Sequence, residues 1–292
     1  MRCQLTVILI SVVTATASQS AIADPVKVPD PQLKALLHEI LKRKGVESGS
    51  LEAEDLATIH FLNGRNRKIA NLTGMKYCVE LQEARLDGNA IKDVTPLAAC
   101  VKMKSLDLSS NQIASIEPLK TLTELRYLNI EGNSVKEIGC VKSMGELTSL
   151  FANNNQISDL SPLKGRTRLH SLYLAGNKVS DLGALATLKR LGSLDLRKNQ
   201  IVDVEPLKSL KRLRWTFLSE NRVEDISPLA DMAAQDQDKE FAPYWRLYLE
   251  GNPLADDAEN HAMTLITAGV NVRLKSPPTA SKSDDESEES AR

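Results

Sequence analysis

Residues 169–199 read LHSLYLAGNKVSDLGALATLKRLGSLDLRKN, in which Leu169, Leu172, Leu174 and Asn177 return 22 residues later as Leu191, Leu194, Leu196 and Asn199. The frame extends in both directions. Asn89, Asn111, Asn133, Asn155, Asn177, Asn199 and Asn221 follow one another at 22 residues without a slip, and Asn252 comes 31 residues later. Within each motif the apolar residues alternate as in a strand, whose successive side chains point to opposite faces. A unit this short can bury its apolar side only against the next unit, so the repeats must stack as coils.

The pattern L-x-x-L-x-L-x-x-N at this period specifies an α/β solenoid, a leucine-rich-repeat horseshoe with a parallel concave sheet. Pro96, Pro118, Pro162, Pro206 and Pro228 fall in the return segment. Their fixed φ and missing N–H suit a short 3-10 or irregular convex side. The repeated Asn is expected to satisfy backbone groups at the bend, which would otherwise be buried unpaired. A solenoid also needs its open ends closed. Leu33, Leu36, Leu37, Ile40 and Leu41 have helical spacing after Pro31, and Lys42, Arg43, Lys44 and Gly45 end the run. With a second short helix over 51–56 they form an N-terminal helical cap.

The expected organisation is then a leader and cap at 24–58, repeats at 59–254 and a closing unit at 255–275. The repeats comprise one degenerate coil, beginning at Ile59, and eight full ones. The closing unit has a short helix around Ala262, Leu265 and Ile266. Extra residues within 233–243 are expected to form a surface loop.

Arg2, the apolar run 5–13 and Ala21-Ile22-Ala23 read as a signal peptide over 1–23, cleaved after Ala23. A secreted or periplasmic protein follows. No later segment is long and apolar enough to enter a membrane. The formal charge is −1; residues 281–292 contribute −3 and Arg2 +1, which leaves the body near +1 and without an electrostatic footprint for nucleic acid. Residues 276–292, rich in Ser, Asp and Glu, read as a disordered acidic tail. Cys78 and Cys100 occupy one frame position in adjacent coils. Two readings stand: a disulfide, allowed by the strand spacing, or two small buried apolar residues. Cys140 takes the place of the convex Pro and is expected to stay free.

Several segments together resemble the internalin-type leucine-rich-repeat proteins of bacteria. They are the cap (Leu33 to Leu41, then Glu54-Asp55-Leu56), the linker Ile69-x-x-Leu72-Thr73-Gly74-Met75, and repeats of the form Leu-x-x-Leu-x-Leu-x-x-Asn-x-Ile-x-Asp-x-x-Pro-Leu. Asp93, Asp159, Asp203 and Asp225 fill the acidic position of that form. The resemblance implies a scaffold that binds an unknown protein ligand through the concave sheet; the chain is expected to be a monomer and not an enzyme.

With the first Leu of the motif as position 1, positions 1, 4 and 6 face the core and positions 3, 5 and 7 face out of the sheet. Of eleven aromatic residues, six (Tyr127, Phe151, Tyr173, Trp215, Phe217 and Tyr248) fall at outward positions. Leu and Ile fill the core, so core demand does not explain that bias. Asp195, Arg197 and Arg246 interleave with the aromatics, and the mixture has the composition of a protein-binding hot spot. A glycan- or peptidoglycan-binding face is the alternative, because aromatics also stack on sugars; mutual shielding of the rings is the blander one. Catalysis finds little support. His38, His60, His170 and His261 are scattered, His170 and Ser171 face opposite sides of a strand, and no spacing suits a metal or a cofactor.

Overall fold

The computed structural model describes residues 25–46 and 49–275. The expected signal peptide and acidic tail lie outside the described residues. Helix α1 (Pro31–Arg43) buries Leu33, Leu36, Leu37 and Leu41 on one face. Its N-cap, Asp30, ties the cap to the first coil. One carboxylate oxygen accepts from Gln32 N and Leu33 N, and the other from Ala70 N and Asn71 N. Burial pushes the Asp30 carboxyl up, but these four amides outweigh it and hold the group below the ordinary carboxylate range. A short α2 (Ala53–Ala57) completes the cap.

Ten three-residue strands then form one parallel sheet in chain order. They are β1 (Phe61–Asn63), β2 (Glu83–Arg85), β3 (Ser105–Asp107), β4 (Tyr127–Asn129), β5 (Ser149–Phe151), β6 (Ser171–Tyr173), β7 (Ser193–Asp195), β8 (Trp215–Phe217), β9 (Arg246–Tyr248) and β10 (Asn271–Arg273). The register follows the repeat, with Leu128 beside Leu150 and Leu150 beside Leu172. Seven of the convex returns from coil to coil are short 3-10 turns; four of them carry the expected proline (Pro96, Pro118, Pro162 and Pro206), three form without one, and Pro228 opens an α-helix instead. Asp93, Asp159, Asp181, Asp203 and Asp225 each accept the amide two residues ahead, where the return segment begins.

The Asn ladder clamps coil to coil. Asn177 Nδ2 donates to Leu174 O in its own coil and to Ala152 O in the preceding one, each at 2.9 Å. Its Oδ1 accepts Ile157 N, also at 2.9 Å. Each full-coil Asn repeats this set, including Asn252 across the longer gap. Cys78, Cys100 and Cys140 are buried free thiols, which realises the apolar reading of the Cys78 and Cys100 positions.

Two expectations need correction at the C-terminal end. The extra residues at 233–243 are not simply a surface loop. Here the convex return is an α-helix, α3 (Ser227–Ala234), and Asp236 gathers the amides of Glu240, Phe241 and Ala242. Phe241 and Trp245 turn inward and are buried, and the Trp245 indole N–H donates to Thr216 Oγ1 at 2.9 Å. Thr216 stands where the other full coils carry Leu or Ala, so a polar core position is matched to the one buried indole. The closing unit also contains more than a helix. After α4 (Ala258–Ala268), Gly269 takes φ 100°, a conformation that favours glycine, and the chain re-enters the sheet as β10 beside β9.

Candidate functional site: the concave aromatic face

Parallel register carries equivalent positions of successive coils into rows across the sheet. The position-5 row runs Asn129, Phe151, Tyr173, Asp195, Phe217, Tyr248 and Arg273. Beside it the position-3 row runs Tyr127, Ser149, Ser171, Ser193, Trp215 and Arg246. The six predicted aromatics all lie on this face, but as two groups rather than one band.

Tyr127, Phe151 and Tyr173 form the first group. Phe151 and Tyr173 stack at 4.7 Å between centroids with 13° between planes, and Tyr127 tilts against Phe151 at 5.3 Å. Burial, with the Asp107 and Asp87 charges, pushes the Tyr127 phenol up, so its hydroxyl stays neutral. The second group is Trp215, Phe217 and Tyr248, with Phe217 and Tyr248 stacked at 4.7 Å. Arginines cover its rings: Arg246 over Trp215 at 4.3 Å, Arg197 over Phe217 at 5.1 Å and Arg273 over Tyr248 at 5.4 Å.

Asp195 separates the groups and has a different role from the other predicted residues. Its residue is only 1% exposed, and its carboxylate grips Arg197 through Nε at 2.9 Å and Nη2 at 2.6 Å. Those hydrogen bonds raise the Arg197 pKa and fix the guanidinium beside Phe217. Asp195 is therefore a positioning residue beneath the surface. Phe61, missed in the sequence, also belongs to the face. It is 46% exposed, sits in register with Glu83 and has Arg85 5.7 Å from its ring. Its position 3 in the degenerate coil was the available signal.

The ring geometry constrains what the face can hold. Strand neighbours stand about 4.8 Å apart, close to a stacking distance, so side chains at one position of adjacent strands turn their ring faces toward each other. Where two rings stack, the faces between them are closed to a ligand, and ring edges, guanidinium groups and the three serines are the groups beside them. Among the described residues no cluster of three or more His, Cys, Asp and Glu could hold a metal ion. No described helix is long and apolar enough to cross a membrane.

The family model for leucine-rich repeats (2 copies) matches residues 79–121 and 167–209. Among solved structures, an internalin (InlF) of Listeria monocytogenes is 27% identical with a TM-score of 0.74, over 88% of this chain and 72% of that one. Internalin C2 (InlC2) of the same organism is 30% identical with a TM-score of 0.65, over 72% of this chain and 95% of that one. The functional domain of InlJ from Listeria monocytogenes shares the fold at 21% identity and a TM-score of 0.59, over 83% of this chain and 54% of that one. No curated protein matches the chain. A capped solenoid of 22-residue coils, matched over nearly the whole length of internalin C2 at that identity, places this chain in the internalin family of leucine-rich-repeat proteins.

Proposed function

We propose that this protein is an exported, non-enzymatic scaffold that binds a protein partner through its concave sheet. The observation that carries the reading is the pair of aromatic groups. Seven of the chain's eleven aromatic residues, Phe61 included, sit at outward positions of one sheet, and arginines are interleaved with them. Rigid aromatic and Arg side chains supply large contact area at small entropic cost, which is why they dominate protein-binding hot spots. Tyr127, Phe151 and Tyr173 would anchor one part of the partner. Trp215, Phe217 and Tyr248, with Arg197 and Arg246, would anchor another.

The stacking argues against the glycan reading. A sugar packs its C–H face on a free ring face, whereas here Phe151 lies against Tyr173, Phe217 against Tyr248, and Trp215 under Arg246. Export rests on the segment 1–23. The test is capture from the native medium or envelope with the mature chain and with a Phe151→Ala, Tyr173→Ala, Phe217→Ala triple variant. The expected result is one protein species held by the first and lost by the second, with unchanged circular-dichroism melts. Equal capture by both would remove the site, and binding on a glycan array with no protein captured would replace the ligand class.

A further inference from the structure

Along the edge where the chain enters the sheet, the residue preceding each motif is Glu80, Lys102, Glu124, Glu146, Arg168, Arg190 and Arg212 in successive coils. In the first part of this row opposite charges pair, Glu80 with Lys102 and Glu146 with Arg168. Arg190 and Arg212 then stand side by side with no acid of the row left to meet them. Neighbouring strands are ~4.8 Å apart, and like charges held next to each other at that spacing repel.

These arginines line a recess of about 580 Å³, together with Arg168, His170, Lys211 and Arg214, and Glu240 is the single acid on its wall. Arg190, Lys211, Arg212 and Arg214 make no ion pair among the described residues. Asp236, whose charge Lys211 also feels, is already engaged by the amides of Glu240, Phe241 and Ala242. Four unpaired cations therefore outweigh the two acids near them. Position 2 of the middle coil is Gly192, over which the His170 imidazole lies, 3.1 Å from Arg190 O through Nδ1. A Cβ at 192 would come within 2.6 Å of that ring, so only glycine leaves the imidazole in this place.

We propose that this recess binds an acidic, extended segment of the protein partner, whose carboxylates are gripped by Arg190, Arg212 and Arg214. The choice of a protein rests on the reading of the concave face given above. The guanidinium fork matches a carboxylate through two parallel hydrogen bonds. Alternate side chains of an extended peptide stand ~7 Å apart on one side, within reach of long arginines one coil apart. The recess is also continuous with the second aromatic group: Arg214 directly precedes Trp215, which Arg246 covers at 4.3 Å. A partner seated on Trp215 thus brings its flank over the recess. A long polyanion fits less well, because the same edge presents Glu146, Glu124 and Glu80 towards the N-terminus and Glu240 on the other side.

The test is an NMR titration of the mature full chain with acetylated hexaglutamate, beside inorganic phosphate, a sulfated oligosaccharide and phosphatidylserine vesicles. The peptide should shift the side-chain Nε–H signals of Arg190, Arg212 and Arg214 and the Gly192 amide. Its affinity should fall about tenfold or more in Arg190→Glu/Arg212→Glu, through the lost charge-assisted bonds. It should also fall at ~1 M salt, where the screening length is ~3 Å. Lys92→Glu/Lys136→Glu, an equal charge change at exposed residues elsewhere, should bind the peptide like the native chain. So should the Phe151→Ala, Tyr173→Ala, Phe217→Ala variant, which lets the recess fail while the aromatic face stands, and the reverse. Absent shifts, shifts spread over other lysines and arginines, or binding unchanged in Arg190→Glu/Arg212→Glu would overturn the proposal. Tighter binding of the oligosaccharide or the vesicles at the same arginines, or phosphate binding equal to the peptide's, would overturn it as well.

Discussion

Replacing Asn177 tests whether the ladder holds coil to coil. Its side chain makes three short bonds to the backbone, two of them to the preceding coil, and the residue is 8% exposed. A typical intramolecular hydrogen bond contributes ~0.5–1.5 kcal/mol net, so Asn177→Ala should cost ~2–4 kcal/mol. Asn177→Asp separates the donor role from the acceptor role. The carboxylate can still accept Ile157 N, but it turns a charge toward Leu174 O and Ala152 O, where Asn donates. It should therefore be worse than Ala at pH 7.

The pH dependence of that variant has a definite sign. Burial beside two carbonyl oxygens raises the folded-state pKa of the new carboxyl above its unfolded value of ~3.9. A raised folded pKa stabilises below the unfolded pKa and loses that contribution as pH rises through the folded value. The deficit of Asn177→Asp, measured against the native chain at the same pH, should shrink on acidification, while that of Asn177→Ala stays constant. Urea unfolding followed by circular dichroism, with hydrogen exchange over residues 150–180, reads both effects. A cost below ~0.5 kcal/mol for Ala, or an Asp deficit that grows on acidification, would refute the reasoning.

Asp30→Ala removes an N-cap and leaves Ala70 N and Asn71 N without their acceptor, so the cap should lose at least ~1 kcal/mol and fray first in hydrogen exchange. Because the Asp30 carboxyl is held low, its contribution is present above the unfolded pKa and is lost as pH falls through the folded value; protection of α1 in the native chain should collapse in acid before that of the central strands. Burial pushes the thiols of Cys78, Cys100 and Cys140 up to about 12. A thiol reagent should thus find almost none in the native mature protein and all three after denaturation without reductant; finding one would mean a disulfide. Trp245→Phe strands the Thr216 hydroxyl in the core and should cost ~1–3 kcal/mol, while Trp245→Phe/Thr216→Val should recover part of it in the same unfolding assay.

The repeats were legible because a strict period leaves one solution. Leu172 and Leu174 must face the core, Tyr173 must face out, and the Asn must serve the bend. The same frame located six aromatics of the concave face, and it would have given Phe61 had the degenerate coil been counted. Where the period breaks, frame counting fails. Counted back from Asn252, Tyr244 holds the first core position, yet it is 62% exposed under Arg214 while Trp245 fills the core. The longer return with α3 shifts the entry to β9 by one residue, and only packing against Thr216 records it. Asp195 was placed on the correct face, but its burial depends on the neighbouring rings and Arg197, which no periodicity encodes.

The central claim is that the concave face makes the contact. Hydroxyl-radical footprinting of the mature chain, alone and with its captured partner, reads it side chain by side chain. Protection is expected at Tyr127, Phe151, Tyr173, Trp215, Phe217 and Tyr248, with Met263, 60% exposed on α4, oxidised equally in both states. Protection at Met263 with the six aromatics unchanged would contradict the account.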